Sequence, residues 1–279
     1  MAITFIPEIW SAMMLESLKK NLVFGQPSVV NRDYEGEIRN QGDTVRIRSI
    51  SRPTISSYSK GSTTISPEQL TDTQRSLKID QAKYFAFEVD DVDAAQSTGG
   101  EIENALMEAV YGLRDVADQF IAALYTGAVS ANQLGTVSVT TAALAYTQLR
   151  KLKVKLDEAN VPNEGRYAVV PPWYHGLLLE DDRFVRVDAS GNDQALRNGI
   201  VGRALGMDVL LSNNAPFVTG DDYAVIAGHP KAIAFAEQIN KVETYRPQDA
   251  FSDAVKGLYV YGAKLVRPDS IATVVASQT

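Results

Sequence analysis

Clustered carboxylates before residue 100 are the strongest chemical signal in this sequence. Glu88, Asp90, Asp91 and Asp93 lie close together, and grouped carboxylate oxygens are the ligands that Ca²⁺ and Mg²⁺ prefer. The run also lies shortly before a predicted long helix, where acidic groups are favoured by the helix dipole and by solvent. We therefore expect a solvated acidic segment, with a metal-dependent α/β enzyme as the alternative.

Other residue types that support catalysis are scarce. The sequence contains no cysteine, which excludes disulfides, thiolate nucleophiles and zinc–sulfur sites. His175 and His229 are the only histidines, and their spacing matches no metal-binding motif, so we expect both to be structural or exposed. No nucleophile elbow or phosphate-binding glycine loop occurs. The sequence predicts no catalytic site, no cofactor and no bound metal.

The charge and hydropathy patterns limit the possible partners. A net charge of −7 disfavours general coating of nucleic acid. Arg46, Arg48 and Arg52 form a basic cluster, and it lacks the interleaved aromatics that stack on bases. No apolar run approaches the roughly 18 residues that span a membrane. We expect a soluble protein without a membrane partner.

The elements that carry these residues include an unusually long predicted hairpin. Alternating side chains predict strands at 44–50 and 75–80, and the polar stretch between them far exceeds the usual two to five residues. An isolated ribbon is marginal in water, so this one is either mobile or held by something outside its own domain. Residues 44–82 carry a net +3 against −10 for the rest of the chain, which favours self-association.

Two predicted helices flank the hairpin. Residues 8–24 have an amphipathic pattern, which suits either a helix packed on its own domain or an arm on a neighbouring subunit. A longer helix is predicted from about 99 to 126, after a capping box at Thr98 and Glu101. Its apolar stripe comprises Ile102, Leu106, Ala109, Val110, Leu113, Val116, Phe120, Ile121 and Leu124.

Strands and helices mix over the remaining chain. A strand is predicted at 83–90, and a helix at 142–159 is carried by Leu144, Leu149, Leu152 and Leu156. Asp181-Asp182 and Asp221-Asp222 are expected to be solvated pairs. Further along, we predict a strand at 166–170, a short helix from Pro171 to 181, a loop at 185–199, strands at 207–211 and 223–227, a strand or short helix near 231–239, and a strand-like tail at 255–276.

This order of parts resembles a known architecture. The runs that support the resemblance are Leu-Val-Phe-Gly at 22–25, Val-Asn-Arg-Asp-Tyr-Glu-Gly-Glu-Ile at 30–38 and Gly-Asp-Thr-Val-Arg-Ile at 42–47. With these runs and this order of parts, the sequence is similar to the HK-ninety-seven-like fold of tailed-phage major capsid proteins, most of all to the P-twenty-two-type branch. The resemblance implies an α+β fold in five segments: an N-terminal arm (1–43), an extended β-hairpin (44–80), a peripheral domain with a long spine helix (81–130), an axial domain (131–240), and returning strands of the peripheral domain (241–279).

The resemblance also implies a function. The expected product is an icosahedral shell around packaged double-stranded DNA, formed in the host bacterial cytoplasm and found in the virion. Hexamers and pentamers of this chain, a scaffolding protein, a portal protein and a cement or decoration protein are the expected partners. A nanocompartment shell of the encapsulin type is the nearest alternative. The residues predicted to contact neighbouring subunits are Trp10, Met14, Arg46, Arg48, Arg52, Lys60, Arg75 and Lys78.

Overall fold

The computed structural model describes residues 23–33, 44–50, 54–57, 60, 72–90, 101–181, 200–246 and 252–279. Helices pack on sheets in this part of the chain, which has the predicted α+β composition. Almost all of the predicted helix 8–24, the carboxylates Asp91 and Asp93, the predicted cap Thr98 and the predicted loop 185–199 lie outside the described residues.

A three-stranded antiparallel sheet supports the long helix. Strands β3 (Gln81–Asp90), β11 (Ser252–Leu265) and β10 (Ile233–Tyr245) follow one another in the order β10-β11-β3. Helix α1 (Glu101–Ala123) packs on one face of this sheet, and a short 3₁₀ turn (Leu124–Gly127) follows it. Their shared core includes Val110, Leu113, Ala117, Ile121, Phe235, Tyr259 and Tyr261.

Val116 is misplaced among the members of the predicted stripe whose side chains are described. Val116 is 38 % exposed, so its assignment to the buried face was wrong. Ala117 and Asp118 are buried beside it instead. The helical period places residues 113, 117 and 121 on one line, and Val116 lies off that line.

A larger mixed sheet forms the second layer. Its strands are β4 (Gln133–Ser138), β12 (Ile271–Ser277), β9 (Asp222–Gly228), β5 (Tyr167–Val170), β7 (Met207–Leu211) and β6 (Ile200–Ala204) in that spatial order, with β8 (Phe217–Thr219) paired to β9. β12 runs parallel to β4 and antiparallel to β9.

Helices α2 (Ala142–Glu158) and α3 (Pro172–Leu179) cover this sheet. Leu149, Leu152 and Leu156 of α2 are fully buried in the shared core, as predicted. Leu144 is 38 % exposed, so its prediction as a core residue was wrong. It lies in the first turn of α2, where Thr141 caps the helix by accepting a hydrogen bond from the Leu144 N–H group.

The predicted hairpin is confirmed as a ribbon of two strands. β1 (Thr44–Ile50) pairs antiparallel with β2 (Asp72–Lys78), from Thr44 opposite Lys78 to Ile50 opposite Asp72. β2 begins three residues earlier than the alternation predicted, because residues 72–74 continue the ladder although they lack apolar side chains.

Sheet membership differs from the predicted segments at two places. Residue 240 lies inside β10 rather than between elements. β12 belongs to the large sheet with β4, β5 and β9, although 241–279 was assigned to the peripheral domain. Sheet membership alone does not define domains, so the domain boundaries stay predictions.

Among the described residues, none of the helices is long and apolar enough to cross a lipid bilayer.

Candidate subunit-contact site

The base of the ribbon is buried on its own subunit. Val45, Ile47, Leu77 and Ile79 pack against Ala234, Ala236 and Val260 of the three-stranded sheet. Since side chains alternate along a strand, this sheet face is opposite the one that holds α1. The support that a two-stranded ribbon requires therefore comes, at its base, from the chain's own sheet.

Glycine permits the close approach between ribbon and sheet. A Cβ atom at Gly262 would lie 2.3 Å from the carbonyl oxygen of Lys78 and 3.0 Å from Cδ1 of Ile79. The first distance is shorter than any ordinary contact, so a larger residue at 262 would push the ribbon away from β11. The ribbon can therefore lie this close to β11 only because residue 262 is glycine.

Arg75 fastens β2 to the body of the subunit. Its Nη1 donates a hydrogen bond to the carbonyl oxygen of Val266 at 2.5 Å and contacts that of Leu265 at 3.5 Å. A hydrogen bond with a charged donor is stronger than one between two neutral groups. The structure therefore uses Arg75 within the chain, and its predicted contact with a neighbouring subunit stays a prediction.

The other predicted contact residues are distributed along the ribbon and beyond it. Lys60 and Lys78 are exposed. Arg46 and Arg48 occupy positions of β1 opposite Ser76 and Gln74. Trp10, Met14 and Arg52 lie outside the described residues.

An apolar groove lies farther along the sheet face that seats the ribbon. It has a volume of about 390 Å³ and is lined by Tyr84, Ala86, Glu243, Lys256, Gly257 and Leu258. Tyr84 is 79 % exposed. Lys256 Nζ lies 3.0 Å from Glu243 Oε2 and 5.2 Å from the ring centre of Tyr245, so charged groups border the groove on one side. Toward the tip of the ribbon, Ile55 is 88 % exposed. Both surfaces carry apolar area without a partner among the described residues.

A strap, Val23–Asp33, crosses the opposite side of the three-stranded sheet. Its Phe24, Val29 and Val30 are buried in the core beneath α1. At its start, Asp118 of α1 accepts hydrogen bonds from the backbone N–H groups of Val23 (2.9 Å) and Gly25 (3.2 Å). Burial raises the pKa of Asp118 to about 6, although these backbone hydrogen bonds lower it in part.

The far end of the strap is held by backbone and ionic contacts. Asn31 N donates to Ile233 O at 2.8 Å, and Phe235 N donates to Asn31 O at 2.9 Å. Arg32 forms an ion pair with the buried carboxylate of Glu237, and Tyr259 donates a hydrogen bond to the same carboxylate. The strap is therefore fixed at both ends.

Sequence reasoning missed the residues that hold the strap. One signal was available, because Ile121, Ala122 and Tyr125 follow Asp118 by three, four and seven residues, so apolar side chains border it on the predicted helix. A carboxylate in such a position must find hydrogen-bond donors, since a buried unpaired charge is costly. No comparable pattern marks Arg32 or Glu237, which meet only through the fold.

The carboxylates and histidines considered for chemistry do not lie together where the structure describes them. Glu88 is exposed, and Asp90 pairs with Ser252 in the sheet. In the part of the chain that the structure describes, no three potential metal ligands come together. His229 Nδ1 accepts a hydrogen bond from Lys231 N at 3.2 Å, and burial lowers the pKa of its ring. Asp181 is 7 % exposed, so its prediction as a solvated residue was wrong.

Comparison with known proteins gives a consistent result. A family model described as "Phage capsid protein" matches residues 73–274. A solved structure from Mycobacterium phage Che8 is 35 % identical, with 99 % of each chain covered and a TM-score of 0.73. The capsid structure of the cyanophage P-SCSP1u is 17 % identical, with 94 % of this chain and 90 % of that chain covered and a TM-score of 0.71.

A third solved structure, the mature capsid of bacteriophage PhiM1, is 17 % identical over 89 % of this chain and 88 % of that chain, with a TM-score of 0.66. The two likenesses at 17 % identity concern the fold alone. Comparison of the sequence with curated proteins returned no match.

Proposed function

The chain belongs to the phage capsid protein family and is a major capsid protein of the virion shell, and we propose that the ribbon links each subunit to its neighbours in that shell. Its fold is the HK-ninety-seven-like fold that the sequence resembles. Hexamers and pentamers of the chain, closed into an icosahedral shell around double-stranded DNA, are the assembly we propose. A closed shell requires each subunit to offer and receive the same contacts.

The ribbon is the observation that carries this proposal. Its base is fixed by Val45, Ile47, Leu77 and Arg75, so the direction in which it leaves the body is set. Its tip carries the exposed Ile55, and the ribbon is basic while the rest of the chain is acidic. A projection with a fixed base and an exposed apolar side chain toward its tip is suited to reach another subunit.

We propose that the apolar groove beside Tyr84 receives the tip of a neighbour's ribbon. The groove continues the sheet face on which the chain seats its own ribbon, so the same type of surface would hold both. Its lining is apolar around Tyr84 and Leu258, which suits a side chain such as Ile55. Burial of such a side chain stabilises a contact by about 1.5–3 kcal/mol.

Further partners belong to the same proposal. A scaffolding protein during assembly, a portal protein at one vertex and a cement or decoration protein on the surface are expected from the family. The DNA would be enclosed without sequence-specific binding. We also propose that the chain performs no catalysis, since its described carboxylates and histidines are dispersed.

The decisive experiment removes the tip and keeps the base. Residues 54–70 are replaced by a short Gly-Ser linker, so that all pairs between β1 and β2 remain. We expect a soluble subunit with its helical circular dichroism intact and no closed particles in electron micrographs. Normal particles from this variant would contradict the proposed role of the ribbon.

A point variant tests the groove contact. Ile55→Asp should raise the protein concentration needed for assembly, because it places a charge in an apolar groove. Ser56→Asp is the matched control, since it adds the same charge at the adjacent exposed position and leaves Ile55 in place. Equal effects of the two variants would argue against insertion of Ile55. Nuclease-protected DNA in purified particles separates a genome shell from a nanocompartment.

A further inference from the structure

The strap fixes where the N-terminal segment meets the long helix. The N–H groups of Val23 and Gly25 are bound by Asp118 of α1, and Phe24 is 2 % exposed. Residues before Val23 must therefore start on the face of α1 that carries Asp118. This placement holds within a single subunit and does not depend on shell assembly.

That face of α1 is buried at one end and uncovered at the other. Positions 107, 111, 114, 118 and 122 follow one another at steps of three and four residues and so share one face. Asp118 and Ala122 are each 2 % exposed, whereas Met107 and Tyr111 are 51 % and 55 % exposed. The Arg114 guanidinium lies 4.4 Å from the centre of the Tyr111 ring. The uncovered part thus presents two half-exposed apolar side chains, Met107 and Tyr111, in line with the buried part of the face.

The sequence before the strap offers a matching face. The pattern of residues 8–24 predicts a helix whose apolar side carries Trp10, Met14 and Leu18. Met14 lies nine residues before Val23, and nine residues before Asp118 is Ala109, between Met107 and Tyr111. Two parallel helices advance by the same ~1.5 Å per residue, so the apolar positions coincide along their length.

We propose that residues 8–22 form a helix that lies along α1 of the same subunit and covers Met107 and Tyr111. Trp10 and Met14, which were predicted to contact a neighbouring subunit, then pack within their own chain. The helix ends before Val23, because Val23 and Phe24 are in a bend and a turn. The strap and this helix together cover the whole length of one face of α1.

Paired cysteines provide the test, because the chain has no cysteine of its own. Met14→Cys is combined with Tyr111→Cys in the full-length protein. The matched control combines Met14→Cys with Val116→Cys, since Val116 is also exposed on α1 but lies about 140° around the helix axis from Tyr111. Both pairs are oxidised in free subunits and in particles. Non-reducing gels and peptide mass spectrometry then identify the disulfides.

We expect an intrachain disulfide between positions 14 and 111 and several-fold less between 14 and 116. A covalent dimer through 14 and 111 would overturn docking within the subunit and assign the surface to a neighbour's N-terminal segment. Equal formation of both disulfides, or of neither, would overturn the docking itself. Particle formation is scored separately in electron micrographs, so failure here is distinct from failure of the proposed ribbon contact.

A second measurement avoids cysteine chemistry. Tyr111→Ser should increase amide hydrogen exchange of residues 8–22 several-fold, because it removes the aromatic surface that the helix covers. Val116→Ser should leave that exchange unchanged. Unchanged exchange in both variants would contradict the proposed docking.

Discussion

Two buried carboxylates, Asp118 and Glu237, hold the strap, and their charges are compensated differently. Glu237 has the guanidinium of Arg32 and the hydroxyl of Tyr259. Among the described residues, the direct contacts of Asp118 are backbone N–H groups, with Arg114 acting at longer range. Burial therefore dominates at Asp118 and raises its pKa from 3.8 to about 6. The Asp118 carboxylate, which holds the start of the strap, therefore gains a proton in mildly acidic solution.

The first prediction concerns this proton. A raised pKa in the folded state gives stability that is present below pH 3.8 and is lost as pH rises through about 6. The free energy of unfolding of the wild type, minus that of Asp118→Asn, should therefore be larger at pH 4.5 than at pH 7.5 by about 1–2 kcal/mol. Chemical denaturation at the two pH values measures it. A difference that does not change with pH would show that Asp118 is not the titrating group.

At the scale of elements, the local sequence pattern predicts some of the strands, whereas tertiary contacts determine the others. Val45, Ile47 and Leu77 alternate with polar residues, so the ribbon could be predicted from the sequence alone. Strands β4, β6 and β8 were missed, because they are short and take their place from pairing with neighbours such as β12 and β9. The seat of the ribbon was also missed, since Ala234, Ala236 and Gly262 have no distinctive pattern.

The second prediction concerns the fastening of the ribbon. Arg75→Ala should increase hydrogen exchange of the amides in β1 and β2, because it removes a charged hydrogen bond worth about 1.5–3 kcal/mol when buried, and less at this partly exposed site. Lys78→Ala removes the same charge from an exposed position of β2 and is the control. If Arg75 instead contacts only a neighbouring subunit, free subunits of the two variants will exchange alike.

At the scale of the whole molecule, charge is unevenly divided. The ribbon segment 44–82 carries +3 and the remaining chain −10. Copies of the subunit therefore repel one another through their bodies and attract one another between ribbon and body. Attraction of this kind steers association and weakens with ionic strength, because the Debye length falls from about 14 Å at 0.05 M salt to about 4 Å at 0.5 M.

The third prediction follows from this division. Lys60→Gln combined with Lys78→Gln should slow assembly at 0.05 M NaCl, and the difference from the wild type should vanish at 0.5 M, as measured by light scattering. The control, Lys151→Gln with Lys231→Gln, changes net charge equally at exposed positions outside the ribbon. Equal slowing in both double variants would assign the effect to net charge rather than to the ribbon.

The position of β12 between β4 and β9 also bears on synthesis of the protein. Among the described strands, β4 pairs only with β12, which follows it by roughly 130 residues. At usual translation rates, β12 is therefore synthesised about 7–26 s after β4. Until then the large sheet lacks its strand between β4 and β9. A nascent chain whose β12 has not yet emerged therefore cannot present the finished subunit surface, and premature joining of such chains into shell fragments is delayed until that strand emerges.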